Sequence, residues 1–403
     1  MRRSIIIISL TALVLLLLGT LSHSSCGRPD GAKGRGGGCT SDTLSGVNTP
    51  KNPNVDLSTT YNILIENSGS MKGFFSGKSM SDLETVINDY YDRLTSENTV
   101  EGDTVTLNYI NTKKEDSKQS IQGYLSTAMS KCTESYTKID EILEMAMENA
   151  KGNMVNIVIS DYCFESDKGN YQTAQSKITK LFTNKLNTNN NMSVAVLKYE
   201  AGFDGKYYPG GIPCKRELPV YFWIFGDANR VKKVLALHVK KPVESSLLLQ
   251  ASKELPFELD SKNKRAIDGS DIIVKHLDKE RHGDYYKFNI KVDMSDIILS
   301  EKELKTIPNY TLKSSTASQY QITSITNQGS EYTFEISTLK PAPGLLSIQY
   351  NLVLPQWVDD SNYPGSGIPP KGKTTGIRYL IEGVYDAYNN KANSYFTITI
   401  NLK

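Results

Sequence analysis

The chain has 403 residues, enough for about two domains of ordinary size after any leader is set aside. Its 46 Lys and Arg nearly balance 44 Asp and Glu, and no long basic run occurs, which argues against nucleic-acid binding. Five Cys are widely spaced without a CxxC pair, which argues against a structural zinc site.

The amino terminus reads as an export signal. Arg2 and Arg3 precede an almost wholly apolar run from Ile5 to Leu21, roughly 25 Å long as a helix and short for a membrane span. Ser24 and Ser25 then lead to Cys26, so residues 1–25 have the basic, apolar and small-residue parts of a secretory signal. The ending resembles a lipobox, where bacterial lipoproteins are cleaved before a Cys that receives acyl chains. His23 departs from it, since an aliphatic residue is usual three places before the Cys. The resemblance implies a lipidated Cys26 and a protein anchored in the bacterial envelope, at the outer membrane. Residues 26–57, rich in Gly, Ser, Thr, Asn and Pro, read as a flexible linker.

Residues 58–238 alternate strands and helices. YNILIE (61–66) is a buried strand, and SDLE (81–84) is a capping box that opens a helix through Leu94. DTVTLNYI (103–110) is a strand, and residues 137–150 place Ile139, Ile142, Leu143, Ala146 and Met147 on one helical face. VNIVIS (155–160) is a strand ending at Asp161. A helix over 171–186, strands over 192–199 and 220–225, and a helix over 227–237 follow, with Gly205–Pro219 between the last two strands read as a loop. This order predicts an α/β domain with a mainly parallel sheet and a site at the strand carboxyl ends.

Several oxygen-bearing side chains fall at those ends. Glu66, Ser68 and Ser70 follow the first strand in ENSGSM, Asp161 follows VIS, and Thr137 opens the helix before that strand. Two carboxylates and three hydroxyls suit a hard cation such as Mg2+ or Ca2+. Each has a plainer reading too: ENSGS as a tight turn, Asp161 and Thr137 as helix caps. The residues together resemble the von Willebrand factor A (vWA) domain and its metal-ion-dependent adhesion site (MIDAS), with Ser68-Gly69-Ser70-Met71 matching its Ser-Gly-Ser-Met and Asp161 its last acid. Thr137 takes the place of the middle-loop Thr, although Thr133 is also available. Glu66 stands where the family has Asp. The resemblance implies a vWA-like, doubly wound fold whose metal accepts an acidic side chain from a protein partner.

Other chemistry is weakly signalled. Cys163 has no His near it in sequence, His238, His276 and His282 share no ligand spacing, and GxSxG, HExxH and Walker patterns are absent. Residues 239–403 show period-two segments at 285–292, 320–326, 332–337, 345–354, 377–384 and 395–402. Turns at NQGS (327–330) and YNNK (388–391) and a Pro/Gly loop at 357–373 separate them. This predicts an all-β sandwich of immunoglobulin-like architecture. The functional expectation is an envelope-anchored, non-enzymatic binding lipoprotein. A metal-free assembly component of an envelope complex, or a hydrolase of envelope polymer, is the alternative.

Overall fold

A computed structural model describes residues 58–403, except 78–80, 98–100, 149, 164–169, 190–191, 209, 238, 249–252, 261–264, 270, 280–282, 296, 298, 316–318, 366 and 393. The expected signal, Cys26 and linker, and His238 and His282, lie outside the described residues. Residues Asn54–Lys403 form one compact unit. Among the described residues no helix is long and apolar enough to cross a membrane.

The first half runs β1 (Thr60–Glu66), α1 (Asp82–Ser96), β2 (Thr104–Ile110), β3 (Lys114–Asp116), α2 (Ile121–Lys131), α3 (Ile139–Glu148), β4 (Met154–Ser160), α4 (Tyr171–Thr188), β5 (Met192–Tyr207), β6 (Ile212–Asp227) and α5 (Ala228–Leu235). With β7 (Glu244–Leu248) they build a seven-stranded sheet in the order β3-β2-β1-β4-β6-β5-β7. Its centre, β2-β1-β4, is parallel, and β3, β6, β5 and β7 join antiparallel. Strands β1 and β4 are buried from their second residue onward, which is why both read as continuous apolar runs. Asn62 and Asn156 interrupt those runs, and they pair with each other at 2.6 Å across the two strands. Ser81 caps α1 through the full capping box expected of SDLE.

The stretch 205–219 is not a loop. Strands β5 and β6 continue through it in register from Met192↔Asp227 to Tyr207↔Ile212. Gly210 and Gly211, both with positive φ, make the turn. Beyond Tyr199 one face of β5 buries Ala201, Phe203 and Tyr207 while intervening residues are more exposed, so charged and Gly positions hide the strand in the sequence.

The second half runs β8 (Lys253–Glu254), β9 (Glu258–Leu259), β10 (Ile267–Asp268), β11 (Asp271–Ile272), β12 (Tyr286–Asp293), α6 (Glu301–Lys305), β13 (Tyr310–Ser314), β14 (Tyr320–Gln328), β15 (Glu331–Thr338), β16 (Gly344–Tyr350), α7 (Gln356–Ser361), β17 (Asn362–Tyr363), β18 (Thr374–Thr375), α8 (Ile377–Ala392) and β19 (Phe396–Leu402). One sheet, β14-β15-β12-β9, is antiparallel. A second follows the order β10-β11-β19-β16-β13, with β8 alongside β19; its β13-β16-β19 core is antiparallel. Tyr310 touches both Phe334 and Phe396, so the two sheets share core at that point.

Residues 377–384 are helical, not a strand, and 388–391 continue that helix instead of turning. Eight residues of IRYLIEGV mimic alternation, but Ile377, Leu380, Ile381, Val384, Tyr385 and Tyr388 are buried at the 3.6-residue period. Helix α8 packs along α4: Tyr379 stacks on Tyr171 at 5.4 Å, and Gln175 donates to Asp386 at 3.0 Å. Tyr388 also donates to the Met192 carbonyl. Through α8 and β7, residues after 238 complete the first sheet's layers, so the boundary expected there is crossed twice. The segment 357–373, read as a Pro/Gly loop, begins inside α7 and is tied to the β5–β6 strands: Arg216 holds the Pro369 carbonyl and Lys198 the Gly372 carbonyl.

Candidate metal centre

Strand register builds the centre. Ile65 lies beside Ile159 in the parallel β1–β4 pair, which puts Glu66 next to Ser160 at the carboxyl end of both strands. The Ser160 hydroxyl donates to Glu66 Oε2 at 3.1 Å. After Glu66 the chain turns: the Ser68 amide donates back to Glu66 Oε1 at 3.2 Å, and the Ser68 and Ser70 hydroxyls are 2.9 Å apart.

Thr137 arrives from the loop between α2 and α3. The Gly69 amide donates to the Glu134 carbonyl at 2.8 Å, and the Glu134 amide donates to the Asn67 carbonyl at 3.2 Å. Asn111 fixes the other end of the loop, donating to the Tyr136 carbonyl and accepting the Lys138 amide. The Thr137 hydroxyl donates to Glu66 Oε1 at 2.9 Å, whereas Thr133 is exposed. Of the two threonines, Thr137 reaches the site.

Asp161 follows β4 directly. Its Oδ1 accepts the Cys163 amide at 2.9 Å, Ser70 donates to its carboxylate, and its own amide donates to Met71 Sδ at 3.2 Å. The next residue, Tyr162, has φ 49°, the one non-Gly residue among those described with positive φ. Such a conformation costs of order 1–2 kcal/mol and persists only where surroundings enforce it. Here the Tyr162 ring stacks on Trp223 at 4.9 Å, and its amide donates to Ser160 Oγ at 2.8 Å.

All five predicted oxygen-bearing residues therefore gather. Ser160 and Tyr162, which sequence reasoning passed over, join them, and so does Met71 of the Ser-Gly-Ser-Met match. The signal for Ser160 was present: a polar residue ending an apolar strand, one register step from Glu66.

The centre is nearly dry. Glu66 is fully buried and Asp161 is 7% exposed. Burial, then the nearby Asp161 charge, pushes the Glu66 carboxyl up to about 7, against the pull of Ser68, Thr137 and Ser160. Burial likewise raises Asp161 to about 6, opposed by the Cys163 amide and Ser70. None of the groups shifting either acid is a cation. Thr137 directs its proton at Glu66, which leaves its oxygen lone pairs free for a cation. The donor set is entirely hard oxygen, so its chemistry fits Mg2+ or Ca2+. Glu66 is engaged by three protein donors, a role of orienting hydroxyls. Among the described residues no three His, Cys, Asp or Glu side chains come together, so a cation here would rest on hydroxyls as much as on acids.

Cys163 donates its thiol to the Tyr208 carbonyl, and burial raises the Cys132 thiol well above its ordinary value. Cys132 is thus the reverse of an activated nucleophile. In comparison with known proteins, no family model matches the chain, nor does any curated protein or solved structure.

Proposed function

We propose that the protein is an envelope-anchored lipoprotein whose first half is a vWA-like domain, binding a protein partner through a divalent cation held by Ser68, Ser70, Thr137 and Asp161, with Glu66 orienting the hydroxyls. The observation that carries this reading is the pair of buried carboxylates, without an ion-pair partner among the described residues, ringed by the hydroxyls of Ser68, Ser70, Thr137 and Ser160 at the carboxyl ends of β1 and β4. Two buried carboxylates with no ion-pair partner among the described residues are costly to charge, and a bound Mg2+ would offset that cost. When bound, the cation supplies a Lewis-acidic position that an acidic side chain of a partner can occupy. The parallel β2-β1-β4 centre and the SGSM turn after β1 support the vWA-like assignment. The antiparallel sheets around Tyr310 support a sandwich in the second half.

Mg2+ titration calorimetry at pH 8 tests the site, and Asp161→Asn is expected to abolish the heat. A pull-down from envelope extract, with and without EDTA, tests the partner; an identical set in both refutes cation-dependent binding. Mass spectrometry of the mature amino terminus tests acylation of Cys26. A metal-free assembly role is favoured by one observation: the three protein donors already satisfying Glu66. Absence of Mg2+ heat in the wild type would select it.

A further inference from the structure

The strands flanking Asp161 outrun their neighbours. Strand β6 pairs with β4 only from Tyr221 to Phe225, and β5 pairs with β7 only up to Lys198. Beyond these points Tyr199–Tyr207 and Ile212–Val220 pair only with each other. At about 3.3 Å per residue, these nine-residue arms run on the order of 30 Å past the sheet end where Asp161 sits. Phe203 packs edge-on against Phe74 at 5.0 Å, and Tyr207, Leu218 and Pro219 close over Asp161 and Cys163. The space left is about 10 Å3, room for a single water. Its remaining wall is Lys373 and Thr374.

Those two residues belong to a strap, Pro369–Gly376, whose regular structure is one two-residue strand. It pairs with β17 through Asn362 and Tyr363, and its other pins come from the hairpin or its root. Arg216 holds the Pro369 carbonyl, and Glu217 pairs with Lys371 at 2.6 Å. Tyr221 donates to Thr374 at 3.1 Å, and the Tyr207 and Thr375 hydroxyls lie 3.4 Å apart. The central pin is Lys198, buried, donating to the Gly372 carbonyl at 2.6 Å and to Ser361 at 2.8 Å. Both of these hydrogen-bond partners are neutral oxygens, while the carboxylates of Glu200, Glu244 and Asp360 act on the ammonium from nearby. When the strap leaves, water can replace the Gly372 bond while the Ser361 bond stays, which lowers the cost of opening. A segment with little regular structure, held by side chains at its edges, is where local opening is cheapest.

We propose that the strap is a built-in cover over the Asp161 side of the cation centre: a partner's acidic side chain reaches Asp161 from this side only after Pro369–Gly376 lifts from the hairpin. This rests on the cation-site reading, but the opening itself can be read without a metal. Cys163 lines the covered space, so its alkylation reports lifting; Cys132, buried under the α2–α3 loop, is the internal reference.

The full chain is treated with iodoacetamide and the modified peptides are mapped by mass spectrometry. Lys198→Met is expected to speed Cys163 alkylation at least ten-fold, with Cys132 unchanged. Lys371→Glu, which sets like charge against Glu217, is expected to speed it about three-fold. The charge swap Glu217→Lys with Lys371→Glu is expected to restore the wild-type rate. Wild-type rates in both single variants, or Cys163 and Cys132 accelerating together, overturn the proposal. Should Lys198→Met fail to fold, the surface charge pair decides alone. Mn2+ binding, followed by paramagnetic resonance in the same samples, separates the two readings. Cys163 responding while no sample binds Mn2+ removes the cation and keeps the cover. Mn2+ binding with an unresponsive Cys163 does the reverse.

Discussion

Replacing Glu66 by Gln tests the electrostatics of the centre. In the folded protein the Glu66 carboxyl is pushed up to about 7 by burial and by Asp161, from an ordinary value of 4.5. An acid whose pKa is raised on folding favours the folded state at low pH, and that contribution is lost as pH climbs from the unfolded value through the folded one. For these two values, linkage gives a loss of about 2–3 kcal/mol between pH 5 and pH 8 without metal. Gln is nearly isosteric, donates or accepts toward Ser160 and Thr137, and carries no charge, so E66Q escapes this loss. The compact unit of about 350 residues has an unfolding entropy near 0.7 kcal/mol/K, so the difference is about 3–4 °C in melting temperature. The assay is differential scanning calorimetry in EDTA at both pH values. The melting temperature of E66Q relative to wild type should rise by that amount from pH 5 to pH 8. A relative value that is flat or falls with pH would show that Glu66 is not a destabilising charge, and the reasoning would fail.

Three further outcomes are expected. Mg2+ at a hundred times its dissociation constant should stabilise the wild type by about 2.7 kcal/mol at pH 8 and leave Asp161→Asn unmoved in the same melts. Ser160→Ala removes a donor to Glu66 and the acceptor of the Tyr162 amide, and should cost about 1–3 kcal/mol in urea unfolding. Gly383→Ala is decided by sign: helix propensity alone favours Ala by about 1 kcal/mol. At Gly383, however, a Cβ would lie 2.8 Å from the Gln175 carbonyl, so we expect a net loss of about 1–3 kcal/mol by urea midpoint. A midpoint at or above wild type would refute the tight α4–α8 contact.

The centre was legible because its chemistry is local to strand ends. ENSGSM and VISD each place an acid directly after a buried apolar run, and parallel register then does the rest. Spacing to Ile139 and Leu143 favoured Thr137 over Thr133, and the structure supplies the tether that spacing does not reach: Asn111 holds Tyr136 and Lys138. The hairpin beyond Tyr199 was hidden because half of each arm is exposed and carries charge and Gly. Helix α8 was hidden because eight residues of a buried helix can alternate by chance; reading on to Tyr388 restores the 3.6 period. What sequence could not show is partnership between halves, since period and composition say which face is apolar but not against what it packs.

That partnership has a temporal side. Gln175 and Asp386, which bond across α4 and α8, are 211 positions apart. Closing a loop of that length costs about 5 kcal/mol of chain entropy before any contact is gained. On the ribosome, every residue of the cation centre has been made when the chain reaches Asp161. The helix that shields α4, and the strap leading into it, emerge more than two hundred residues later. The strands that hold Glu66 and Asp161 therefore wait on a distant ending, which governs how slowly this fold closes.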